Sequence, residues 1–523
     1  MKKSVSLCLV FFILVGILSG CGINNTSSST EIKSGADFSY PIETDETLQY
    51  WYIDYTAGKV NRQEAPLHQA FEKNTGVKLE YIPVSSSVAT EQFNLLLASG
   101  NLPDIISYDW LKISGGPQKA VDGGHIMKLN ELLENHMPNL SALFEAKPEY
   151  EKQVRSDNGD ICIVPSYRGA EELLTYCGPI IRKDWLDDLG LEVPETLDEW
   201  YTALTAFKNE KGASGAFACL PEFLLLFISG AYPVSMTNYS EDFYVDDNGE
   251  IVYGPIQPHM KDALKVFNKW YKEGLIDANI ASLDANALNS KMTTGQAGAS
   301  IGLNGGALGK WLTAMQSVDE KYNLVGTKYP VVNKGDKPFM GQMDNDIMPS
   351  GQAISAKTKN PELCARYLDY FFSEEGISLF NYGEEGVAHD VVNGEKIFKE
   401  EVLKSGDLAK YADIGGGQSV QQWDAYKQNL VFENQREAVE NWRYTDAQKH
   451  IIPAVNYTSD ESAEISKLMS DIETFKDEKF FQFMFGFEDI DAGFDAYVEQ
   501  IKAMGIDKVA QHKKAAVERY NNR

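Results

Sequence analysis

Gly298-Ala299-Ser300-Ile301-Gly302 has the Gly-x-Ser-x-Gly spacing that, in a hydrolase, lifts a serine nucleophile onto a tight strand-to-helix elbow. Asp344 and His389 follow in the chain order that such an acid and base require. The neighbouring residues argue against the elbow. Residues 297–303 read as one continuous small-residue strand, and no helical stripe begins at Ser300. A glycosidase would need two carboxylates about 5–10 Å apart, and the 76 acidic residues hold too many candidate pairs to single one out. Asp246-Asp247-Asn248-Gly249-Glu250 has the residue types of a calcium loop. With Gly249 as the invariant glycine, however, the first ligand position falls on Tyr244. The run reads instead as a hairpin turn. No His-Glu-x-x-His, phosphate-loop or Gly-x-Gly-x-x-Gly pattern is present, so neither a metal nor a cofactor is expected.

The elements able to position side chains are clearest across residues 46–110. Leu48, Tyr50 and Tyr52 alternate as a strand. Pro66 opens a short helix with Leu67, Ala70 and Phe71 on one face, and Gly76 stands at its C-terminal cap. Val77, Leu79 and Tyr81 alternate again, predicting a strand over 77–84. Ala89, Phe93, Leu96 and Leu97 form one helical stripe closed by Gly100, and 104–108 is a third strand. The order βαβαβ implies parallel strands with right-handed crossovers. Such sheets bind ligands at the carboxyl ends of their strands. Asp54 and Tyr55 stand at one such end, Asp109 and Trp110 at another.

Composition narrows the function classes. A net charge of −28 argues against nucleic-acid binding and against electrostatic docking on anionic lipid. At 523 residues, one large or two medium domains are expected. Lys2 and Lys3 precede an apolar stretch over residues 5–18 that is too short to span a bilayer comfortably, predicting a signal peptide over 1–20. Residues 21–45 begin with Cys21 and continue Asn/Ser/Thr-rich, as a flexible tether does. Of the later cysteines, Cys162 and Cys177 could bridge, but Cys162, Cys177, Cys219 and Cys364 form no Cys-x-x-Cys pair and read better as buried thiols.

Several motifs, in fixed order, carry a family resemblance. Leu18-Ser19-Gly20-Cys21 matches a bacterial lipoprotein box. Phe71-Glu72-Lys73 before Thr75-Gly76-Val77, then Leu96-Leu97-Ala98-Ser99-Gly100 before Leu102-Pro103-Asp104, resemble the start of an extracellular solute-binding protein. Ile181-Arg182-Lys183-Asp184-Trp185-Leu186, followed by Leu189-Gly190-Leu191 and Pro194-Glu195-Thr196, is the most specific run; Thr196 caps the next helix, with Glu199 at the capping-box position. Ser373-Glu374-Glu375-Gly376 and the closing Arg519-Tyr520 extend the match along nearly the whole chain, with Phe494 where the family carries Trp. The chain resembles the long Gram-positive lipoproteins that serve ABC importers of oligosaccharides.

That resemblance implies an α/β, periplasmic-binding-protein-like fold of type II, with two lobes, a hinge and a ligand cleft between them. Lobe one takes 46–165 and 347–400; lobe two takes 166–346 and 401–523. Cys21 carries the lipid, and the protein sits as a monomer on the extracellular face of the membrane. Its partners are a carbohydrate and the permease subunits, and it performs no catalysis. A cell-surface carbohydrate hydrolase and a sugar sensor coupled to a histidine kinase are the alternatives.

A sugar site combines flat rings with planar polar side chains. The strand-end pairs Asp54/Tyr55, Asp109/Trp110 and Tyr167/Arg168 meet that description. By position in the implied fold, Glu222, Asn304 and Asp344 face the cleft from the second lobe or the crossover, and Trp423 is a looser candidate.

Overall fold

The computed structural model describes residues 39–235, 242–404 and 406–523. The signal peptide, Cys21 and most of the tether lie outside these residues. Alternating side chains form β1 (Thr47–Asp54), with Leu48, Tyr50 and Tyr52 on one face. Helix α1 (Pro66–Thr75) opens on its proline and ends at Gly76, whose φ of 74° is the left-handed value a glycine adopts without steric cost. β2 (Lys78–Ser85), α2 (Ala89–Ser99) and β3 (Ile105–Tyr108) complete the βαβαβ unit. β1 pairs in parallel with both β2 and β3. The two helices cover opposite faces of this sheet: His68 of α1 meets Tyr81, and Phe93 of α2 meets Trp51.

Three further strands enlarge the sheet to six. Ile347–Ile354 runs antiparallel between β3 and β4 (Val164–Arg168), and the two-residue strand Val420–Gln421 runs parallel to β4 at the edge. From these directions, β1, β3, β4 and Val420–Gln421 all end at one edge of the sheet, where Ile347–Ile354 begins. The core on this sheet includes Leu48, Trp51, Ile105, Ile106, Val164 and Ile354.

The chain leaves that edge after β4 and builds a second core. Its sheet has β5 (Cys177–Arg182) between the antiparallel strands Ala299–Leu303 and Leu324–Gly326. Trp200, Phe227, Trp270, Trp311 and Trp442 fill the space around it. Thr196 caps the helix Leu197–Lys211 in a reciprocal box with Glu199, as the spacing predicts. The long helix Ser459–Phe485 and the two after it pack on the same core. These helices also reach back to the first sheet's side: Arg519 bridges Asp157 and Glu461, each at 2.6 Å.

Residues 413–421 are tied to the first sheet and its helices, the Asp413 amide donating to the Phe380 carbonyl at 2.9 Å. Ser419 Oγ donates to the Phe371 carbonyl at 2.6 Å, and Asn381 Nδ2 to that of Val420 at 2.9 Å. The reason is edge pairing: β4 would otherwise leave its outer edge open, and Val420–Gln421 covers it.

Candidate functional site

A cavity of about 470 Å3 opens at the carboxyl edge of the first sheet. The ends of β1 and β3 supply Tyr52, Asp54, Tyr55, Ser107, Tyr108 and Asp109. Met348, Pro349 and Ser350, at the start of the returning strand, form a second wall, and the loop before Val420 supplies Asp413 and residues 415–418. Tyr108 is held flat against Phe93, ring centroids 3.7 Å apart and parallel. Tyr55 projects freely, 70% exposed. Tyr50 Oη donates to Gln418 Oε1 at 3.4 Å on the cavity floor.

The charged groups have distinct environments. Both oxygens of Asp54 are occupied: one accepts from the Thr56 amide at 2.8 Å and hydroxyl at 2.6 Å, the other from the Gly58 amide at 2.7 Å. Burial works to raise its pKa, but these hydrogen bonds outweigh it and hold the carboxyl below its usual range. Asp109 faces Lys112 at 3.7 Å. The Arg62 guanidinium lies 3.8 Å from the centroid of the Tyr52 ring. Asp413 faces Arg62; burial pushes its carboxyl up, and the guanidinium only partly offsets this. Beneath them, burial and the nearby Arg62 charge push His68 well below the ordinary imidazole value, so it is neutral at pH 7. Its Nδ1 lies 3.1 Å from Tyr81 Oη.

The Gly415-Gly416-Gly417 run shapes one wall. A Cβ on Gly416 would come within 2.4 Å of the Asp413 carboxyl, and one on Gly417 within 2.5 Å of Ser350 Oγ. At Gly415 a Cβ would meet nothing within 4 Å, so its lack of a side chain only leaves room.

A second polar group sits where the chain crosses between the sheets. Arg168 Nη2 donates to Asp344 Oδ2 at 2.7 Å. Gln342 Nε2 and Tyr176 Oη donate to Asp344 Oδ1 at 3.0 and 3.4 Å. Trp423 begins the turn after Gln421, partly exposed, its ring centroid 6.0 Å from that of Tyr426.

The ten residues expected at the ligand therefore separate. Asp54, Tyr55 and Asp109 share the cavity; Arg168 and Asp344 pair at the crossover, and Trp423 lies after the last strand of the sheet. Trp110 does not line this cavity. It is 0% exposed, packed edge-on against Phe93, and its indole donates to the Ile106 carbonyl at 3.1 Å. The turn Trp110–Lys112 folds the ring back under α2, where a large apolar face is worth more buried. Tyr167 is also core: β4 is flanked on both sides, and the ring stacks on Tyr150 at 4.0 Å while its hydroxyl donates to the Tyr150 carbonyl. Asn304 is buried in a reciprocal pair with Gln435, donating to its carbonyl at 2.7 Å and accepting from its amide at 3.0 Å. It fastens the helix Glu433–Arg443 to the strand before it. Glu222 is exposed on the turn Pro221–Phe223, outside the cavity.

Ser300 is fully buried within the strand Ala299–Leu303, and its hydroxyl donates to the Ile301 carbonyl at 3.3 Å. Asp344 belongs to Arg168, and His389 Nδ1 lies 3.0 Å from the Tyr382 carbonyl. The three form no triad. Asp246 accepts from the amides of Asn248 and Glu250, closing a plain hairpin. The four described cysteines are free and buried. Arg62, Asp413, Gln418 and Gly415 also line the cavity, and sequence reasoning did not single them out. The signal for three of them was the triple glycine between Asp413 and Gln418, a run with no place in a helix or strand.

The arrangement is a cavity at the edge of one of two sheets, in an α/β fold like that of the periplasmic-binding-protein-like solute-binding proteins. The chain belongs to the bacterial extracellular solute-binding protein family, which it matches over residues 61–377. It is 29% identical over 302 residues to the fructooligosaccharide ABC transporter substrate-binding protein FusA of Streptococcus pneumoniae, a match covering 53% of each chain and so about half the length of that relative. It is 27% identical over 514 residues to lipoprotein LipO of Bacillus subtilis, covering 94% of this chain and 93% of LipO. The crystal structure of alginate-binding protein AlgQ2 without calcium ion superposes with a TM-score of 0.72 at 26% identity, covering 92% of this chain and 100% of AlgQ2.

Proposed function

We propose that this protein captures an oligosaccharide in the cavity at the carboxyl edge of the first sheet and delivers it to the permease subunits of an ABC importer. One observation carries the reading: tyrosine rings of Tyr55 and Tyr108 stand beside Asp109, Asp413 and Gln418 in a cavity of about 470 Å3. Sugar C–H faces pack on such rings, and carboxylate and amide oxygens accept from hydroxyls. The names of FusA and AlgQ2, which specify a fructooligosaccharide and alginate, support a carbohydrate ligand. Lobe one takes residues 46–168 and 347–421, and lobe two takes 177–342 and 433–523. The crossovers between them act as the hinge, and closure buries the sugar. Cys21 carries a lipid that holds the monomer on the outer face of the cytoplasmic membrane.

Melting curves with an oligosaccharide panel test capture. A ligand at 100 times its Kd adds about 2.7 kcal/mol of stability, and the recovered sugar keeps its length on chromatography. Shorter products overturn the reading in favour of a hydrolase. Cys21→Ser releases the protein from the membrane fraction; continued membrane association removes the anchor.

A further inference from the structure

We propose that the cavity accepts an uncharged sugar and rejects uronates, with Asp413 as the acceptor that reads its hydroxyls. The inference rests on the capture reading above and gives it a ligand class.

The charges around the cavity argue against an anion. Three carboxylates, Asp54, Asp109 and Asp413, stand against two cations, Arg62 and Lys112. His68 adds no positive charge, because burial keeps it neutral. Recognition of a sugar carboxylate calls for a cation with an open fork of donors. Lys112 already faces Asp109 at 3.7 Å. Arg62 lies along the Tyr52 ring and faces Asp413, so its charge is met from inside the protein. A uronate placed here would meet Asp109 and Asp413 at close range across a partly desolvated space. The net charge of −28 opposes approach of a polyanion at longer range.

Asp413 is suited to the opposite task. Among the described residues its carboxyl accepts no hydrogen bond, although Asp54 in the same cavity has both oxygens filled. Its backbone is tied down, the amide donating to the Phe380 carbonyl at 2.9 Å. A carboxylate held in place, half-buried and facing a cavity is left with lone pairs to fill. Sugar hydroxyls are donors that fill them at no cost in charge. Gly415, which leaves open space beside it, admits the ring that carries those hydroxyls.

Titration calorimetry on the full mature chain decides the matter. One set of ligands is neutral: fructo-, galacto-, manno- and xylo-oligosaccharides. The other consists of uronate oligomers from pectin and alginate. The expected result is binding within the neutral set, unaffected by 0.5 M NaCl, and none within the uronate set. Asp413→Asn keeps the melting temperature of the free protein at or above wild type and weakens the neutral ligand roughly ten- to a hundredfold. Asp413→Glu, which keeps the charge, recovers part of the loss. A uronate that binds as tightly as the best neutral sugar overturns the inference but leaves capture standing. Unchanged affinity in Asp413→Asn also overturns it. Binding of neither set removes the capture reading, and this inference with it.

Discussion

Two acid–aromatic pairs stand at the ends of neighbouring parallel strands, and the structure treats them in opposite ways. At the end of β1, Asp54 is consumed by its own turn, both oxygens bonded to Thr56 and Gly58, while Tyr55 points out to solvent. At the end of β3, Asp109 lines the cavity while Trp110 is buried under α2. The residue types and the position relative to the sheet are the same. What differs is the next few residues. After Asp54 the chain turns at Thr56 and Gly58, offering amides to the carboxylate. After Asp109 a single helical turn directs the indole inward, to a carbonyl left by β3. The carboxyl edge of a parallel sheet thus selects a region for ligands, and local turn chemistry selects the side chain that reaches them.

The largest expected effect comes from breaking the buried half of the contrast. Trp110→Ala costs about 3–5 kcal/mol of stability, and the folded fraction, measured by calorimetry in the cold, keeps its affinity. A stable variant with weakened binding would return Trp110 to the ligand. Next comes the turn. Asp54→Ala removes three hydrogen bonds to a carboxylate and costs roughly 1–2 kcal/mol by denaturant unfolding; an unchanged midpoint would mean that the turn holds itself. Tyr55→Ala changes stability by less than about 0.5 kcal/mol and weakens a stacked sugar by about 1 kcal/mol, roughly fivefold. Loss of stability without loss of affinity would make Tyr55 a packing residue.

The smallest effect is in pH dependence, where two aspartates of one cavity differ in sign. The Asp54 carboxyl is held low, so its contribution is present above the unfolded value of about 3.9 and is lost as pH falls through the folded value. Asp413 is held high by burial, so the fold loses stability as pH rises from the unfolded value through the folded one. Asp54→Asn flattens the acid side of a melting-temperature profile, and Asp413→Asn lifts the profile above that window. Parallel shifts in the two variants would refute the distinction.

The first sheet's parallel core was legible because alternation, helical stripes and glycine caps agree between Thr47 and Tyr108. The capping box at Thr196 was legible for the same local reason. The helix Ser459–Phe485 was not singled out: its first half packs Ile465, Leu468 and Met469 on the second core only partly buried, and full burial begins at Ile472. Nor was the cavity wall at residues 413–418, where glycines erase periodicity, or the pairing of Val420–Gln421, too short to show one. Asn304 was placed by its position in the implied fold and Tyr167 by its residue type at a strand end, and neither says which neighbours will bury a side chain.

The returning strand Ile347–Ile354 has a consequence for the order of assembly. It lies in the middle of the first sheet, between β3 and β4, yet it is synthesised after the whole second core's two outer strands. Until it inserts, β1, β2 and β3 form a half-sheet with an open side, separated from β4. Contacts so distant along the chain close slowly, and until then the open side of β3 presents unpaired backbone groups. The first sheet is therefore completed only after the strands of the second core have been made.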